Sequence, residues 1–298
     1  MLDNGVWKEA YVLLPNKIIW DKKGGDSLMK ITSDKLIIIM TYLDLRTTRI
    51  GDFICTLEDM CKECGYSHKT TNLNELKDIL LSLRSSGLLK ITSHETVEEI
   101  KPKDLIKGIL CNDCNTEFFK VNIQELNKIL NSNIGSQETR VGMVNLYFYI
   151  KSRIKKRDKS LSPASYGYNA EATWFSTEQA IKDLNISKNT FEKYLKNLVD
   201  MNMICYGNIG LISYRGVEKV ANNVYTLEES ELKQGLAESK YYYIKEGYTV
   251  LNKRKNKVTK QIEGLKGRIK QLEKQGYDTF ELVEKLHQLE SKLEPDKK

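Results

Sequence analysis

Between Ser176 and Ile204 the chain reads STEQAIKDLNISKNTFEKYLKNLVDMNMI, and this stretch limits the fold more tightly than any other. Ser176 followed by Gln179 has the spacing of a capping box, in which two side chains satisfy backbone N–H groups at a helix start. Ser187 offers a second start only a short break later. Phe191, Leu195 and Leu198 then recur at the spacing of one helix face. Asn202 stands where the chain must leave that helix, because asparagine tolerates the left-handed backbone of a helix end. Met203 and Ile204 lead into strand-like sequence. A short helix, a tight turn, an amphipathic helix and a β-hairpin are expected in that order, the hairpin strands being MICYGNIGLISYRG and NNVYTL around a turn-rich tip.

The same order occurs earlier in the chain. YVLLPNKII (Tyr11–Ile19) reads as a short strand interrupted by Pro15, and Ile31–Thr47 as a helix with Ser33 as its N-cap. Thr56 with Asp59 begins a short helix that Gly65 ends. Asn72–Ile91 gives a longer helix on Leu73, Leu76, Leu80 and Leu83, stopped at Gly87 before the strand LLKIT, and LIKGIL and EFFKVN read as a second strand pair. Asn122–Leu130 reads as a linking helix and Arg140–Lys156 as a helix with an apolar body and a basic end. The distance from GYS to the final GLL exceeds its counterpart in the second copy, so an enlarged turn is expected at HKTTN. The similarity is one of pattern, not of residues.

After Glu228 the β signal nearly vanishes. Val258, Ile262, Leu265, Ile269 and Leu272 alternate spacings of four and three, an apolar seam for helix packing. Gly276 closes that helix, Asp278 with Glu281 opens another, and Leu282, Leu286, Leu289 and Leu293 continue the seam. An antiparallel hairpin is expected, with one continuous coiled coil as the alternative, and two such short seams call for a partner surface, hence a homodimer. The fold class is therefore mainly α with small β-hairpin wings (α+β). Residues 1–121 and 122–227 form the two repeated domains and 228–298 a helical tail.

STEQAIKDLNISKNTFEKYLKNLVDMNMI resembles the winged helix-turn-helix of bacterial DNA-binding proteins. Ala180 sits at the small-residue position of the helix crossing, and Leu184 and Ile186 sit around the turn. Two such units followed by a charged helical tail, with FFKVNIQELNKIL, LYFYIKSRI and NNVYTL, resemble replication-initiator and primosome-loading proteins of Firmicute plasmids and phages. The resemblance implies tandem winged helices that bind double-stranded DNA. The start of the second helix would enter a major groove, with Lys188, Asn189 and Glu192 near base edges and Thr190, Lys193 and Lys196 near phosphates. Arg215 and Lys219 belong to the wing. In the first copy His68, Lys69, Thr70, Thr71, Asn72 and Asn74 are the equivalents, with Lys77 and Arg84 further along. A replication initiator that recruits a helicase or its loader is the implied role. A transcription or copy-number regulator is the alternative, and a primosome-like protein scaffold is an alternative of another class.

Charge fits a polyanion partner without requiring one. The chain of 298 residues carries a formal charge of +7. Lys151–Lys159 holds six basic residues and one acid, including Lys151, Arg153, Lys155, Lys156 and Arg157, and is expected along a phosphate track, although basic side chains also complement a helix C-terminus. Asn252–Lys260 is a second run. No stretch reaches the length needed to span a bilayer and no signal peptide is evident, so a cytoplasmic protein is expected. CKEC and CNDC (Cys61, Cys64, Cys111, Cys114) have zinc-like spacing, but Cys61 and Cys64 fall at buried positions of the helix pattern, so no metal or other cofactor is expected. The three histidines form no recognisable constellation and no glycine-rich phosphate loop is present, so an enzyme is not expected.

Overall fold

A computed structural model of the chain describes residues 10–21, 24–111, 117–155, 170–251, 257–276 and 279–291. The described residues open with strand β1 (Tyr11–Pro15), a 3-10 turn at Asn16–Ile18, helix α1 (Leu28–Ile31) and helix α2 (Leu36–Leu45). Ser33 does not cap a helix from Ile31, as the sequence led one to expect. Its hydroxyl donates to Glu75 Oε1 (2.6 Å) and accepts from the Lys35 N–H, so the helix begins at Leu36, while Ser27 caps the separate turn α1. Next come β2 (Asp52–Cys55), α3 (Leu57–Glu63), α4 (Thr70–Ser85), β3 (Leu89–Ile91) and β4 (Ile106–Leu110). The chain continues through β5 (Phe118–Asn122), α5 (Ile123–Leu130), α6 (Gln137–Arg153), β6 (Ala172–Phe175), α7 (Thr177–Leu184), α8 (Lys188–Asp200) and β7 (Cys205–Gly207). The last described elements are β8 (Leu211–Tyr214), β9 (Val217–Val220), β10 (Asn223–Thr226), α9 (Glu229–Lys245), β11 (Thr249–Val250), α10 (Lys257–Lys274) and α11 (Phe280–Ser291). The class is mixed α+β with small antiparallel sheets.

The repeat is visible as topology. In each copy a helix (α2, α6) precedes a strand, a short helix, a longer helix and a second strand. A later strand then inserts between the first two, giving the orders β2-β4-β3 and β6-β10-β7. The caps are the ones the sequence advertises: Thr56 accepts from Asp59 N, Ser176 from Gln179 N and Ser187 from Thr190 N.

Two strand assignments differ from expectation. β4 and β5 do not pair with each other. β5 joins β1, where Val12 faces Val121 and Leu14 faces Phe119 across the ladder, so four buried side chains share one face. β4 lies between β2 and β3 instead, and Gly108 at its centre leaves room for the Phe53 ring and the Lys90 carbonyl. The second-copy hairpin is also divided: β7 and β10 pair with the rest of their sheet, while β8 and β9 form another sheet with β11, a strand in a region that reads as purely helical.

The chain separates into two compact units, Met1–Gly207 with Asn222–Glu238, and Asn208–Ala221 with Ser239–Lys298. In the first, both copies feed a single apolar cluster, from Leu36–Leu43 of α2 and Leu76, Ile79, Leu80 and Leu83 of α4 to Phe191, Leu195 and Leu198 of α8. Helix α6 is buried continuously from Met143 to Ile150; a helix covered on all sides belongs at the centre, and α5, β5, α7 and α8 surround it.

The second unit contains the β11-β8-β9 sheet over a small core of Ile212, Ala221 and Tyr243. Its α10 stops at Lys274, two residues before Gly276 (φ 77°), and α11 folds back so that Lys266 Nζ meets Glu290 Oε1 at 2.7 Å. The tail is thus a hairpin and not one continuous helix. Ile262 and Ile269 of its seam are buried within the chain itself. Asp278 and Leu293 lie outside the described residues.

Candidate nucleic-acid interface

Helix α8 is held by its inner face and open on its outer one. Asn185 (φ 52°) closes α7 in the left-handed conformation, and the Ile186 N–H returns to the Ile181 carbonyl. Ser187 then caps α8 through the Thr190 N–H at 3.1 Å, and its hydroxyl also bonds the Thr190 hydroxyl at 2.7 Å. Phe191, Leu195 and Leu198 are buried, and Asn202 (φ 52°) lets the Met203 N–H reach the Leu198 carbonyl. Tyr194 fixes the helix laterally: a Cβ on Gly142 of α6 would stand 2.4 Å from its ring, so α6 and α8 approach this closely only over a glycine.

The sequence-selected side chains on the outer face reach solvent. Lys188, Asn189, Glu192, Lys193 and Lys196 are exposed, while Thr190 is half-buried and its hydroxyl is shared with Ser187. Among the described residues the ion pair on this face is Lys188–Glu192, at 3.9 Å with side chains 73% and 60% exposed, which is too wet to hold the lysine. The N–H groups of the first turn not taken by Ser187 point out of the helix with the positive end of its dipole.

The first copy differs. Helix α4 starts at Thr70, so Thr70–Asn72 are helical and the longer turn occupies Cys64–Lys69, ahead of the place expected. Lys69, Thr70, Thr71 and Asn74 are exposed. Asn72, however, donates to the Ser67 carbonyl and hydroxyl and accepts from Lys35, and His68 lies 3.3 Å from Glu58. Further along, Lys77 donates to the Glu98 carbonyl at 2.8 Å and Arg84 to the Glu95 carbonyl at 2.7 Å. Those carbonyls belong to the acidic segment joining β3 to β4, which buries Val97 and Ile100 completely.

The basic end of α6 is directed inward. Lys151 binds the Glu125 carboxylate, with burial pulling its pKa down and Glu125 opposing that. Arg153 binds Asp183 Oδ2 at 2.9 Å between the rings of Trp20 (4.4 Å), Tyr149 (4.5 Å) and Phe175 (5.6 Å). Neither side chain lies on a solvent-facing track. Lys155 is exposed near the Trp174 ring, and Lys156 and Arg157 lie outside the described residues. Arg215 and Lys219 belong to the second unit, at and beside the β8–β9 turn, and not to the sheet that carries α8.

The cysteines split by environment. Cys61 and Cys64 are fully buried, and burial raises both thiol pKa values, as it pushes Cys55 up to about 12. Cys111 is exposed and Cys114 lies outside the described residues. Among the described residues no three His, Cys, Asp or Glu side chains gather to hold a metal ion, and no helix is long and apolar enough to cross a membrane.

Sequence reasoning missed the Tyr149–Arg153–Asp183 cluster and the Gly142–Tyr194 contact. The only advance signal was Gly142 itself, a glycine inside an otherwise apolar helix. No protein-family model matches the chain, and no curated protein matches it in sequence.

Proposed function

We propose that the protein binds double-stranded DNA through the N-terminal half of α8, used as the recognition helix of a winged helix-turn-helix. The observation that carries this reading is the outer face of α8. Lys188, Asn189, Lys193 and Lys196 are open to solvent there, while Phe191, Leu195, Leu198 and Tyr194 fix the opposite side. Asn189 is of the side-chain type that pairs with adenine and Lys188 of the type that meets guanine, and Lys193 and Lys196 suit phosphates. Helix α4, whose Asn72, Lys77 and Arg84 are engaged within the chain, is assigned to holding the assembly rather than reading sequence.

The biological role proposed is that of a plasmid or phage replication initiator, acting as a homodimer that recruits a helicase or its loader. It rests on the resemblance of two such units and a helical tail to replication-initiator and primosome-loading proteins. The transcription or copy-number regulator performs the same physical act, and recovery of bound DNA from cells separates the two. Iterated sites beside the protein's own gene mark an initiator, and a single promoter operator marks a regulator. The direct test of the interface is the pair Lys188→Ala with Asn189→Ala. It should weaken binding to cognate duplex by about tenfold or more while changing random-duplex affinity much less. Equal losses on both sequences would remove base reading from α8. A response flat to salt would remove DNA binding itself, since lysine–phosphate contacts release counterions.

A further inference from the structure

Within the first unit, two adjoining cavities of about 290 and 850 Å³ lie where the two copies meet. Asp34, just ahead of α2, and Tyr194 of α8 line both of them. The smaller one also reaches Gly142 and Asn145 of α6 and residues 184–186, the turn between α7 and α8. The larger one extends to Tyr66, Lys69 and Glu75 of the first copy and to Glu138 in the first turn of α6.

Polar groups here lack the partners that burial normally demands. Asn145 is only 5% exposed, and its Nδ2 donates to the Asp34 carbonyl at 2.8 Å. That bond fixes the orientation of the amide and leaves Oδ1 without a hydrogen-bond partner among the described residues. Tyr66, 7% exposed, has an unpartnered hydroxyl as well. The charges are also unbalanced. Of the nearby lysines, Lys35 is taken by Glu75 and Lys30 by Asp26 at 2.6 Å, and Lys69 is exposed. Among the described residues no ion pair reaches Asp34 or Glu138. Asp34 keeps access to solvent, as the wall of an open cavity does, yet burial raises its carboxyl pKa; Glu75 and Glu138 add to that rise and Lys35 opposes it. Negative charge therefore gathers at this one place in a chain whose formal charge is +7.

We propose that the smaller cavity binds the primary ammonium head of a small organic amine, with Asp34 as its counter-ion and Asn145 Oδ1 and the Tyr194 hydroxyl as further acceptors. Buried polar atoms are nearly always paired, so an unpaired acceptor beside an uncompensated carboxylate calls for a donor that carries positive charge. An ammonium group has three N–H donors and no acceptor, which matches three acceptors and no free donor. The Tyr194 hydroxyl lies against Gly142, which shares the lining of this cavity. The body of the amine has room beyond Tyr194 in the larger cavity, where Glu138 offers a second carboxylate. A metal ion fits less well, because among the described residues no three His, Cys, Asp or Glu side chains gather to hold one. An anion would meet carboxylates that nothing neutralises. The site does not depend on DNA binding by α8, although its occupant would touch the turn that sets α8 in place.

The test titrates the full-length chain with 1,4-diaminobutane in a calorimeter at neutral pH and fixed ionic strength. Two controls accompany it: 1,4-butanediol, of the same length without charge, and magnesium chloride, whose cation has the same charge without the carbon chain. The diamine should bind saturably and more tightly than either control. Asp34→Asn keeps the shape of the side chain and removes its charge, and should weaken diamine binding by about tenfold or more. Tyr194→Phe keeps the ring against Gly142 and removes one acceptor, with an expected loss of about fivefold. If Asp34→Asn does not fold, Tyr194→Phe decides by itself. The proposal is overturned if the wild-type chain shows no saturable binding of the diamine, if butanediol or magnesium binds as tightly, or if the folded variants bind the diamine as wild type does.

Discussion

Arg153 separates two accounts of the basic run at the end of α6. As a phosphate ligand it would contribute affinity and little stability; as the structure places it, it contributes stability. Its side chain is 19% exposed and that of Asp183 14%. Asp183 also accepts the Tyr149 hydroxyl at 2.7 Å and the Gln179 amide at 2.6 Å, so this carboxylate ties the last turn of α6 to α7. Burial dominates at Tyr149 and pushes its phenol pKa up, so it stays a hydroxyl donor to that carboxylate. Arg153→Met keeps most of the side-chain volume between Trp20, Tyr149 and Phe175 but strands the Asp183 charge. Breaking a fully buried pair costs about 3–5 kcal/mol, and partial exposure here lowers the figure to about 2–4 kcal/mol. For a unit of this size each kcal/mol moves the melting temperature by about 2–4 °C, so calorimetry should show a fall of about 6–12 °C for a loss near 3 kcal/mol. Asp183→Leu should cost a similar amount. The double variant should cost clearly less than the sum, because the second change removes a charge already stranded by the first. An unchanged melting temperature in Arg153→Met, joined to weaker DNA binding and a shallower salt dependence, would refute the internal role. Strict additivity in the double variant would refute the pairing.

Two further predictions concern packing and protonation. Gly108→Ala places a Cβ 2.7 Å from the Phe53 ring and 2.9 Å from the Lys90 carbonyl oxygen. Overpacking of about 1–3 kcal/mol should therefore lower the melting temperature by several degrees, and a neutral result would show that the β2-β4-β3 sheet has slack there. Asp44, near the end of α2, has its carboxyl pKa raised above 3.8 by burial, so ionising it is harder in the folded chain than in the unfolded one. Its contribution to stability is present below that value and is lost as pH rises through the folded pKa. Asp44→Asn should thus raise the melting temperature at neutral pH, with the gain vanishing as pH falls below 4; a gain independent of pH would exclude the carboxylate as its source.

What the sequence made legible is what neighbouring residues decide. Thr56 with Asp59, Ser176 with Gln179, and Ser187 ahead of Phe191, Leu195 and Leu198 place three helices, because caps and period are local. Gly65, Gly87 and Gly276 all take the positive φ that a helix end favours. Strand partnership escaped because it depends on side chains far apart in sequence: the buried pairs Val12–Val121 and Leu14–Phe119 draw β5 to β1, and nothing near β5 announces it. The basic end of α6 was read outward for the same reason. Its counter-ions, Glu125 and Asp183, come from α5 and α7, and three rings from separate elements surround Arg153. The outer face of α8 needed no such distant information, since a face that packs against nothing is specified by its own periodicity.

The two copies share a topology and differ in what their polar residues already do, and this difference bears on function more than the likeness does. For α4 to meet phosphate with Lys77 or Arg84, each side chain must first release a carbonyl of the segment between β3 and β4. Net hydrogen bonds of charged groups are worth about 1.5–3 kcal/mol when buried and less in the wet setting found here. Release would also loosen the cover over Val97 and Ile100, both without solvent exposure. The backbone that α4 would bring toward DNA carries Glu95, Glu98 and Glu99, whose charges oppose phosphate. For α8 the corresponding cost is a single exposed i,i+4 pair at 3.9 Å, worth about 0.3–0.5 kcal/mol at most. Nearly all of the charge on α8 is therefore available to a partner, while much of that on α4 is committed to its own chain. Under the proposed reading, α8 would be the reading surface and α4 a fixed platform, and the core that α2, α6 and α8 share holds the two helices in one cluster.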